Sequence, residues 1–271
     1  MISMNPIDQF NQERQDRLLS YAHDGAFRAL SRQWLQESMR RQYVYNFDWM
    51  GRPIIQYPQD MVAMQELVWR VRPDLIIETG IAHGGSLVLS ASLLALLDMA
   101  DAIDSGSTID PRASRRKVLG VDIDIRTHNR AAIESHPMSS RIAMIQGSSI
   151  APEVVQQVRE FAQGYQRVLV CLDSMHTHDH VLGELNAYAP LVTAGSYCVV
   201  FDTFVEDMPP QFFADRPWDV GNNPKTAVHR WLADHAEFEI DAEMEQRLQV
   251  TVAPHGFLRR LGEFNAQGSQ R

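Results

Sequence analysis

The feature that most constrains the fold is an alternation of short apolar runs with longer segments of helical periodicity. The runs occupy residues 75–77, 118–121, 142–145, 168–172 and 196–200, and a polar or acidic residue follows each run within two positions. Such runs are typical of parallel strands buried on both faces, with helices as crossover connections. Residues 238–240 and 256–261 add two candidate strands, and the last strand is expected to form a hairpin with its neighbour. We therefore predict an α/β protein with a doubly wound, mostly parallel, seven-stranded sheet.

Composition narrows the class of protein. The 271 residues are 45 % hydrophobic and 22 % charged, and the net charge is −9. This acidity argues against nucleic acid and anionic membranes as partners, because both need a cationic face. No apolar stretch of about 20 residues and no secretory signal are found in the sequence, so we expect a cytoplasmic protein. Cys171 and Cys198 lie in apolar runs and are predicted to be buried and unlinked.

The chain divides into three parts. Residues 1–59 have apolar positions at roughly helical spacing and many arginines, which predicts an N-terminal helical extension that acts as a lid or an oligomer arm. Within it, residues 43–58 are interpreted as an ordered loop. Residues 60–262 hold the alternating pattern, and Asp60 is predicted to cap a helix that ends near Arg72. Residues 263–271 form a polar tail.

A glycine-rich turn, ETGIAHGGS, follows the first strand from Glu78 to Ser86. Its glycines, Gly80 and Gly84, would let a ligand approach the backbone closely. His83, Ser86 and, at the fourth strand tip, Asp173 are further candidate contacts of that ligand. A dinucleotide site would show G-x-G-x-x-G at this place, and the glutamate that stands here would repel a pyrophosphate. The turn suits a ligand with a cationic or hydroxyl-bearing part, such as S-adenosylmethionine. A tight turn with no ligand is the alternative.

The tips of the next two strands strengthen the prediction of a nucleoside pocket. Asp122, at the end of the second strand and followed by Ile123, can accept hydrogen bonds from both ribose hydroxyls. Ser148, at the end of the third strand, is positioned to contact the edge of an adenine. Three consecutive strand tips with these roles make such a pocket more probable than any one of them alone.

The fourth and fifth strands end in residues suited to catalysis. Asp173 and Asp202 should lie side by side at adjacent strand tips, where paired carboxylates suit Mg²⁺ or another hard cation. His176 is the candidate general base, because an imidazole titrates near neutral pH. A metal site built from His176, His178 and His180 is a weaker alternative, since alternating residues at a helix start do not share one face. Helix capping by these polar residues is the remaining alternative.

Four motifs together resemble the cephalosporin hydroxylase family, which includes rhamnosyl O-methyltransferases: ETGIAHGGS, GVDID, LDSMHTHDHVLGELNAYAPLVTAGSYCVVFDT and NNPKTAVHRWL. The similarity covers roughly residues 61–260. It implies a Rossmann-like, class I S-adenosylmethionine-dependent methyltransferase that is usually oligomeric, so a homo-oligomer is expected. It also implies that Glu78 and Gly80 line the methionine end of the cofactor and that Asp122 binds its ribose.

The chain is also similar to the Mg²⁺-dependent macrolide-sugar O-methyltransferases. That resemblance implies an aspartate at the fourth strand tip, a catalytic histidine three residues later, and a Glu-Asp pair at the fifth tip. Asp173, His176 and Asp202 match, but Phe201 stands in place of the glutamate. The site would then bind a cation weakly, recruit Glu206 or Asp207, or work without metal.

The predicted function is methyl transfer from S-adenosylmethionine to a hydroxyl group of a small natural product or sugar. His176 would take the proton, Asp173 and Asp202 would hold a divalent cation, and an aromatic loop with Phe212 and Trp218 would cover the acceptor. A catalytically degenerate scaffold that keeps the fold is one alternative. A nicotinamide-dependent oxidoreductase is another, against which the missing G-x-G-x-x-G speaks.

Overall fold

A computed structural model describes residues 5–262 of the chain, so the predicted polar tail lies outside the described residues. The helices are α1 (Pro6–His23), α2 (Gly25–Arg40), α3 (Pro58–Val71), α4 (Gly85–Ser105), α5 (Thr127–Glu134), α6 (Pro152–Ala162), α7 (His178–Tyr188), α8 (Pro224–Leu232) and α9 (Ala242–Leu248). The strands are β1 (Phe47–Trp49), β2 (Arg52–Ile54), β3 (Leu75–Thr79), β4 (Lys117–Asp122), β5 (Ile142–Gln146), β6 (Val168–Leu172), β7 (Tyr197–Val200), β8 (Phe238–Ile240) and β9 (Phe257–Arg260).

The main sheet has seven strands in the order β5-β4-β3-β6-β7-β9-β8. The strands from β3 to β7 run parallel, whereas β9 runs antiparallel to both of its neighbours. The predicted doubly wound sheet is thereby confirmed, and its last two strands pair antiparallel across a connection that contains α9. The direction of winding reverses between β3 and β6, and in such sheets the crevice at this switch point binds ligands.

The central strands are mostly apolar because helices cover both faces of the sheet. All residues of β3, β6 and β7 are buried. One core cluster includes Ile76 and Leu94, and a second on the other face includes Ile77 and Leu185. Cys171 and Cys198 are buried and unlinked, as predicted.

Helix α4 meets the length and composition of a membrane-spanning segment, although the sequence predicts none. Its apolar character has a source in the packing, because the helix lies against β4, β5 and α3. Leu87, Val88 and Leu94 are among the side chains that it buries.

Three local predictions need correction. The predicted loop 43–58 contains the hairpin β1–β2. Asp60 does not cap α3, which begins at Pro58 after Tyr57. Its buried carboxylate instead accepts hydrogen bonds from the Thr251 hydroxyl and, at 3.0 Å, from the Val252 N–H. Helices α5 and α9 are absent from the prediction, because short polar segments give a weak periodic signal.

The N-terminal segments pack onto the rest of the chain. Helix α1 contacts α9. The hairpin contacts α4, and the indole Nε1 of Trp49 donates a 3.0 Å hydrogen bond to the Ser92 hydroxyl. At the end of α2, the hydroxyls of Ser38 and Tyr57 are 2.6 Å apart.

Candidate active site

A cleft of about 1360 Å³ opens at the carboxyl ends of the parallel strands. Its walls come from the turn after β3, the tips of β4, β6 and β7, the hairpin β1–β2 and the segment between β7 and α8. Most of the predicted site residues line it, namely Gly80, His83, Ser86, Asp122, Ile123, Ser148, Asp173, His176 and Asp202. The structure therefore brings together residues that are up to 122 positions apart in the sequence.

Gly80 is required by its surroundings. It has a φ of +89°, and a Cβ atom built on it would lie 1.9 Å from the backbone oxygen of Asp173. No residue with a side chain fits there without moving the tip of β6. The glycine-rich turn after β3 is therefore packed directly against the tip of β6.

Asp122 fixes the same turn from the side of β4. Its Oδ2 accepts hydrogen bonds from the N–H groups of Ile81, at 2.7 Å, and Ala82, at 3.3 Å. Its Oδ1 accepts a 3.0 Å hydrogen bond from the N–H of Asp124. The carboxylate that is expected to meet a ribose therefore also holds the backbone of the glycine-rich turn.

Two predicted cofactor residues, Glu78 and Gly84, do not line the cleft. Burial raises the pKa of Glu78 to about 7, and its carboxylate accepts a hydrogen bond from Ser86, which does line the cleft. Gly84 precedes α4 with a φ of +83°, and a Cβ atom there would clash with Ile133. Both residues lie beneath the cleft surface and hold in place the residues that line it.

Next to Ser148 lies a hydrogen-bonded group that the sequence analysis missed. The Nε2 atom of His180 is 3.0 Å from the hydroxyl of Ser149 and 3.1 Å from that of Ser174. Ser174 donates a 2.6 Å hydrogen bond to Glu184, which is fully buried. The run of histidines indicates polar chemistry at this strand tip, but the pairing of His180 with Ser149 and Ser174 depends on the fold.

The three-histidine alternative is not formed. His178 bonds the Thr226 hydroxyl at 2.7 Å through Nδ1, and His180 bonds the two serines. His176 alone joins Asp173 and Asp202, and one ligand atom from each of these three residues lies within 4.8 Å of the others.

In the cluster of Asp173, His176 and Asp202, the two carboxylates lie close enough to disfavour each other's ionisation. Burial and the nearby charges of Asp202 and Glu78 raise the pKa of Asp173 well above its usual range. Burial also raises the pKa of Asp202, and the charge of His176 opposes that rise. The Nε2 atom of His176 lies 3.0 Å from the Oδ2 atom of Asp202. Crowded carboxylates of this kind favour a bound cation.

Asp202 holds an uncommon backbone conformation. Its φ is +56° and its ψ is +20°, in the left-handed region. Aspartate tolerates this region better than most residues. The conformation places the carboxylate directly after β7, beside the end of β6 with which β7 pairs.

The neighbours of Asp202 do not supply the missing carboxylate. Phe201 is buried in the core, and its N–H donates a 2.9 Å hydrogen bond to the Leu172 carbonyl. Glu206 accepts a 2.7 Å hydrogen bond from the N–H of Gly221, and Asp207 pairs with Lys225 at 2.7 Å. The suggestion that Glu206 or Asp207 completes a metal site is therefore corrected: both are used to fix the segment between β7 and α8.

That segment, residues 203–223, forms an aromatic wall over the cluster. The ring of Trp218 meets the ring of His176 edge to face at 4.7 Å. Phe212 and Phe213 are 4.9 Å apart and line the same cleft. The arrangement encloses the imidazole between a carboxylate and an indole.

Comparison with known proteins assigns the family. The sequence profile described as "Rhamnosyl O-methyltransferase/CmcI" matches residues 41–261. The chain is 28 % identical over 235 residues to the rhamnosyl O-methyltransferase of Mycobacterium leprae (strain TN), an alignment that covers 83 % of this chain and 90 % of the relative. It is 27 % identical over 237 residues to the protein of the same name from Mycobacterium tuberculosis (strain ATCC 25618 / H37Rv), covering 83 % and 84 %.

Solved structures share the fold. A CmcI structure with magnesium and S-adenosylmethionine matches with a TM-score of 0.52 at 17 % identity, covering 80 % of this chain and 78 % of the other. The apo structure of CalS11, described as a TDP-rhamnose 3'-O-methyltransferase, matches with a TM-score of 0.50 at 17 % identity, covering 97 % and 98 %. The chain belongs to the rhamnosyl O-methyltransferase/CmcI family and is an S-adenosylmethionine-dependent methyltransferase.

Proposed function

We propose that the enzyme transfers the methyl group of S-adenosylmethionine to a hydroxyl group of a deoxysugar or a sugar-bearing natural product. The observation that carries this proposal is the cluster of Asp173, His176 and Asp202, which lies under an aromatic wall and next to the glycine-rich turn. The names of the relatives, which act on rhamnosyl groups and on TDP-rhamnose, support a deoxysugar acceptor.

In this proposal the cofactor lies along the tips of β3, β4 and β5. Gly80, His83 and Ser86 surround its methionine end, with Glu78 behind them and Gly84 shaping the turn. Asp122 and Ile123 face the ribose, and Ser148 faces the adenine. Asp173 bounds the pocket on the side where the methyl group is transferred.

His176 is the proposed general base. A hydroxyl group is a weak nucleophile near pH 7, so removal of its proton lowers the barrier. The 3.0 Å contact between Nε2 and the Asp202 carboxylate orients the imidazole. As the proton leaves, the acceptor oxygen forms a bond to the methyl carbon and the carbon–sulfur bond breaks, so that neutral S-adenosylhomocysteine is left. The remaining task of the protein is alignment of the two reactants.

Asp173 and Asp202 are the residues that would hold a divalent cation. Two carboxylates whose pKa values are raised by burial fit such an ion, because its charge offsets the cost of ionising both. When bound, the ion would supply Lewis-acid activation of the acceptor hydroxyl. With Phe201 in place of a third carboxylate, we expect weak cation binding.

The aromatic wall would exclude water from the reacting atoms. Trp218 covers His176, and Phe212 with Phe213 extends the apolar surface beyond it. Such a surface suits the apolar face of a deoxysugar. Closing the site in this way strengthens the interaction between His176 and Asp202.

A methyl-transfer assay tests the proposal. Purified protein is incubated with S-adenosylmethionine that carries a labelled methyl group and with a panel of acceptors: a methyl rhamnoside, TDP-rhamnose and a hydroxyl-bearing compound without sugar. We expect label on a sugar hydroxyl and a lower rate after chelation of divalent cations. Tight binding of S-adenosylhomocysteine with no transfer to any acceptor would favour the degenerate-scaffold alternative instead.

We also infer a cytoplasmic homo-oligomer. Helices α1 and α2 expose large apolar side chains that a second copy would cover: Ile7, Phe10, Leu19, Leu30 and Trp34. The buried, unlinked Cys171 and Cys198 suit a reducing compartment. Sedimentation velocity of the purified protein tests the oligomer, and a monomer at micromolar concentration would contradict it.

A further inference from the structure

We propose that Gln56, which follows the hairpin β1–β2, is a cofactor-binding residue that contacts the aminocarboxyl end of S-adenosylmethionine. The proposal rests on the placement of the cofactor in the cleft given above. The hairpin lies in a part of the chain that the sequence analysis assigned to an extension, and no cofactor role was predicted for it.

Gln56 is buried and incompletely bonded. Only 4 % of its surface is exposed, yet it lines the cleft. Its Oε1 atom has no hydrogen-bond partner within residues 5–262. Buried polar atoms almost always find a partner, because leaving one unpaired costs free energy. An unpaired amide oxygen at the wall of a ligand cleft is explained by a ligand that supplies the missing donor.

The hairpin brings Gln56 to the start of α4. A Cβ atom on Gly85 would lie 2.2 Å from the Pro53 oxygen and 2.7 Å from the Ile54 Cα, so the two segments touch through their backbones. Two residues of extended chain span at most about 7 Å, which keeps Gln56 within side-chain reach of the first turn of α4. Ser86, in that turn, lines the same cleft.

The hairpin is also fastened to the glycine-rich turn. The guanidinium of Arg52 donates hydrogen bonds to the His83 carbonyl, at 3.0 Å from Nε, and to Asn129 Oδ1, at 3.1 Å. Asn129 is buried and donates a 2.8 Å hydrogen bond to the Ala82 carbonyl. The hairpin that Gln56 follows is therefore fixed to the glycine-rich turn by direct hydrogen bonds.

The chemistry of an amide suits the methionine end of the cofactor. That end carries an ammonium group, which needs an acceptor, and a carboxylate, which needs donors. Glu78 is not at the cleft surface, and its carboxylate already accepts the hydrogen bond of Ser86. Gln56 offers an oxygen to the ammonium and N–H groups to the carboxylate, and the start of α4 offers further free N–H groups.

Two ligands that differ only at this end test the proposal. S-adenosylhomocysteine carries the aminocarboxyl group, whereas 5'-methylthioadenosine lacks it and keeps the nucleoside and sulfur. Calorimetric titrations of wild-type protein, Gln56→Ala and Gln56→Leu are compared, with Gln33→Ala on the exposed side of α2 as the matched control. Leucine fills a similar volume, so it guards against a loss that is due only to a cavity.

We expect both Gln56 variants to bind S-adenosylhomocysteine about tenfold more weakly or worse, and to bind 5'-methylthioadenosine within about twofold of wild type. An equal loss for both ligands, or no loss for either, would overturn the assignment. If wild-type protein binds neither ligand, the proposed placement of the cofactor fails, and this inference fails with it. If the wild-type protein binds both ligands, the affinities of the Gln56 variants decide whether the assignment holds.

Discussion

The two halves of the cleft are built in different ways. At the tips of β3 and β4, polar side chains are bonded to backbone: Asp122 holds the N–H groups of the glycine-rich turn, and Arg52 holds a carbonyl of the same turn. At the tips of β6 and β7, titratable side chains face one another under a long segment, with His176 against Asp202 and Trp218. We call these the cofactor half and the transfer half. The first preserves a backbone shape, and the second can change its chemistry by single substitutions.

The largest effect should come from His176→Ala in the transfer half. Loss of the proposed base should lower turnover by about 10²–10⁴. The binding of S-adenosylhomocysteine should stay near the wild-type value, because the cofactor half is untouched. Turnover numbers and a calorimetric titration measure the two quantities. Wild-type turnover in this variant would remove His176 from the mechanism.

Asp202→Asn should have the next largest effect. Asparagine tolerates the left-handed backbone, so the fold should be retained, while the charge that faces His176 is lost. We expect turnover to fall by about 10–10², with the cofactor affinity little changed. Any cation dependence of the wild-type enzyme should weaken in parallel. A fall in thermal stability comparable to that of Asp202→Ala would instead mean that the residue matters for the backbone.

Arg52→Ala probes the cofactor half. Removal of the guanidinium takes away the donor that the His83 carbonyl and the Asn129 Oδ1 atom share, so the turn should loosen. We expect binding of both S-adenosylhomocysteine and 5'-methylthioadenosine to weaken by about tenfold, in contrast to the Gln56 variants. Arg52→Lys should recover only part of this loss, because one ammonium does not reproduce the fork of the guanidinium. Unchanged affinity for both ligands would show that the turn does not need the hairpin.

Trp218→Phe should act on the acceptor alone. The smaller ring keeps an aromatic surface but loses part of the contact with His176. We expect the KM for the acceptor to rise by about threefold to tenfold, with the cofactor affinity unchanged. Steady-state kinetics with each substrate varied in turn measure the effect. A rise in the KM for S-adenosylmethionine would mean that Trp218 acts on the cofactor half and would contradict this prediction.

The smallest expected effect is on stability, and it comes from the buried carboxyl group of Asp60. Burial raises the pKa of Asp60 to about 7, whereas an unfolded aspartate titrates near 4. The folded state therefore holds this proton more tightly, and the resulting stabilisation is present below about pH 4 and is lost as the pH rises through about 7. Asp60→Asn should flatten this decline in the free energy of unfolding between about pH 4 and pH 7. Glu78 has the same direction of shift, so a residual slope should remain.

The sequence predicts the parts of the molecule that depend on local pattern. Strands buried on both faces produce continuous apolar runs, so β3 to β7 were placed within one or two residues, and the juxtaposition of Asp173 with Asp202 followed from parallel strand tips. Resemblance to a known family added the methyltransferase assignment, which the family match confirms.

Other features depend on contacts between distant segments and leave no local pattern. The hairpin β1–β2 consists of two strands of three residues each, too short for a visible alternation, and its role against α4 depends on Gly85. Asp60 looks like a cap until the fold brings Thr251 to it. Glu206 and Asp207 look like free ligands until the fold pairs them with Gly221 and Lys225.

The contact between Gly80 and Asp173 joins the two halves mechanically. With only hydrogen atoms on its α-carbon, Gly80 lies directly against the carbonyl of the residue whose side chain belongs to the transfer half. A ligand that pushes one of these backbones toward the other therefore meets this contact. We expect cooperative binding in which a divalent cation and S-adenosylhomocysteine change each other's dissociation constant by the same factor, whichever is added first.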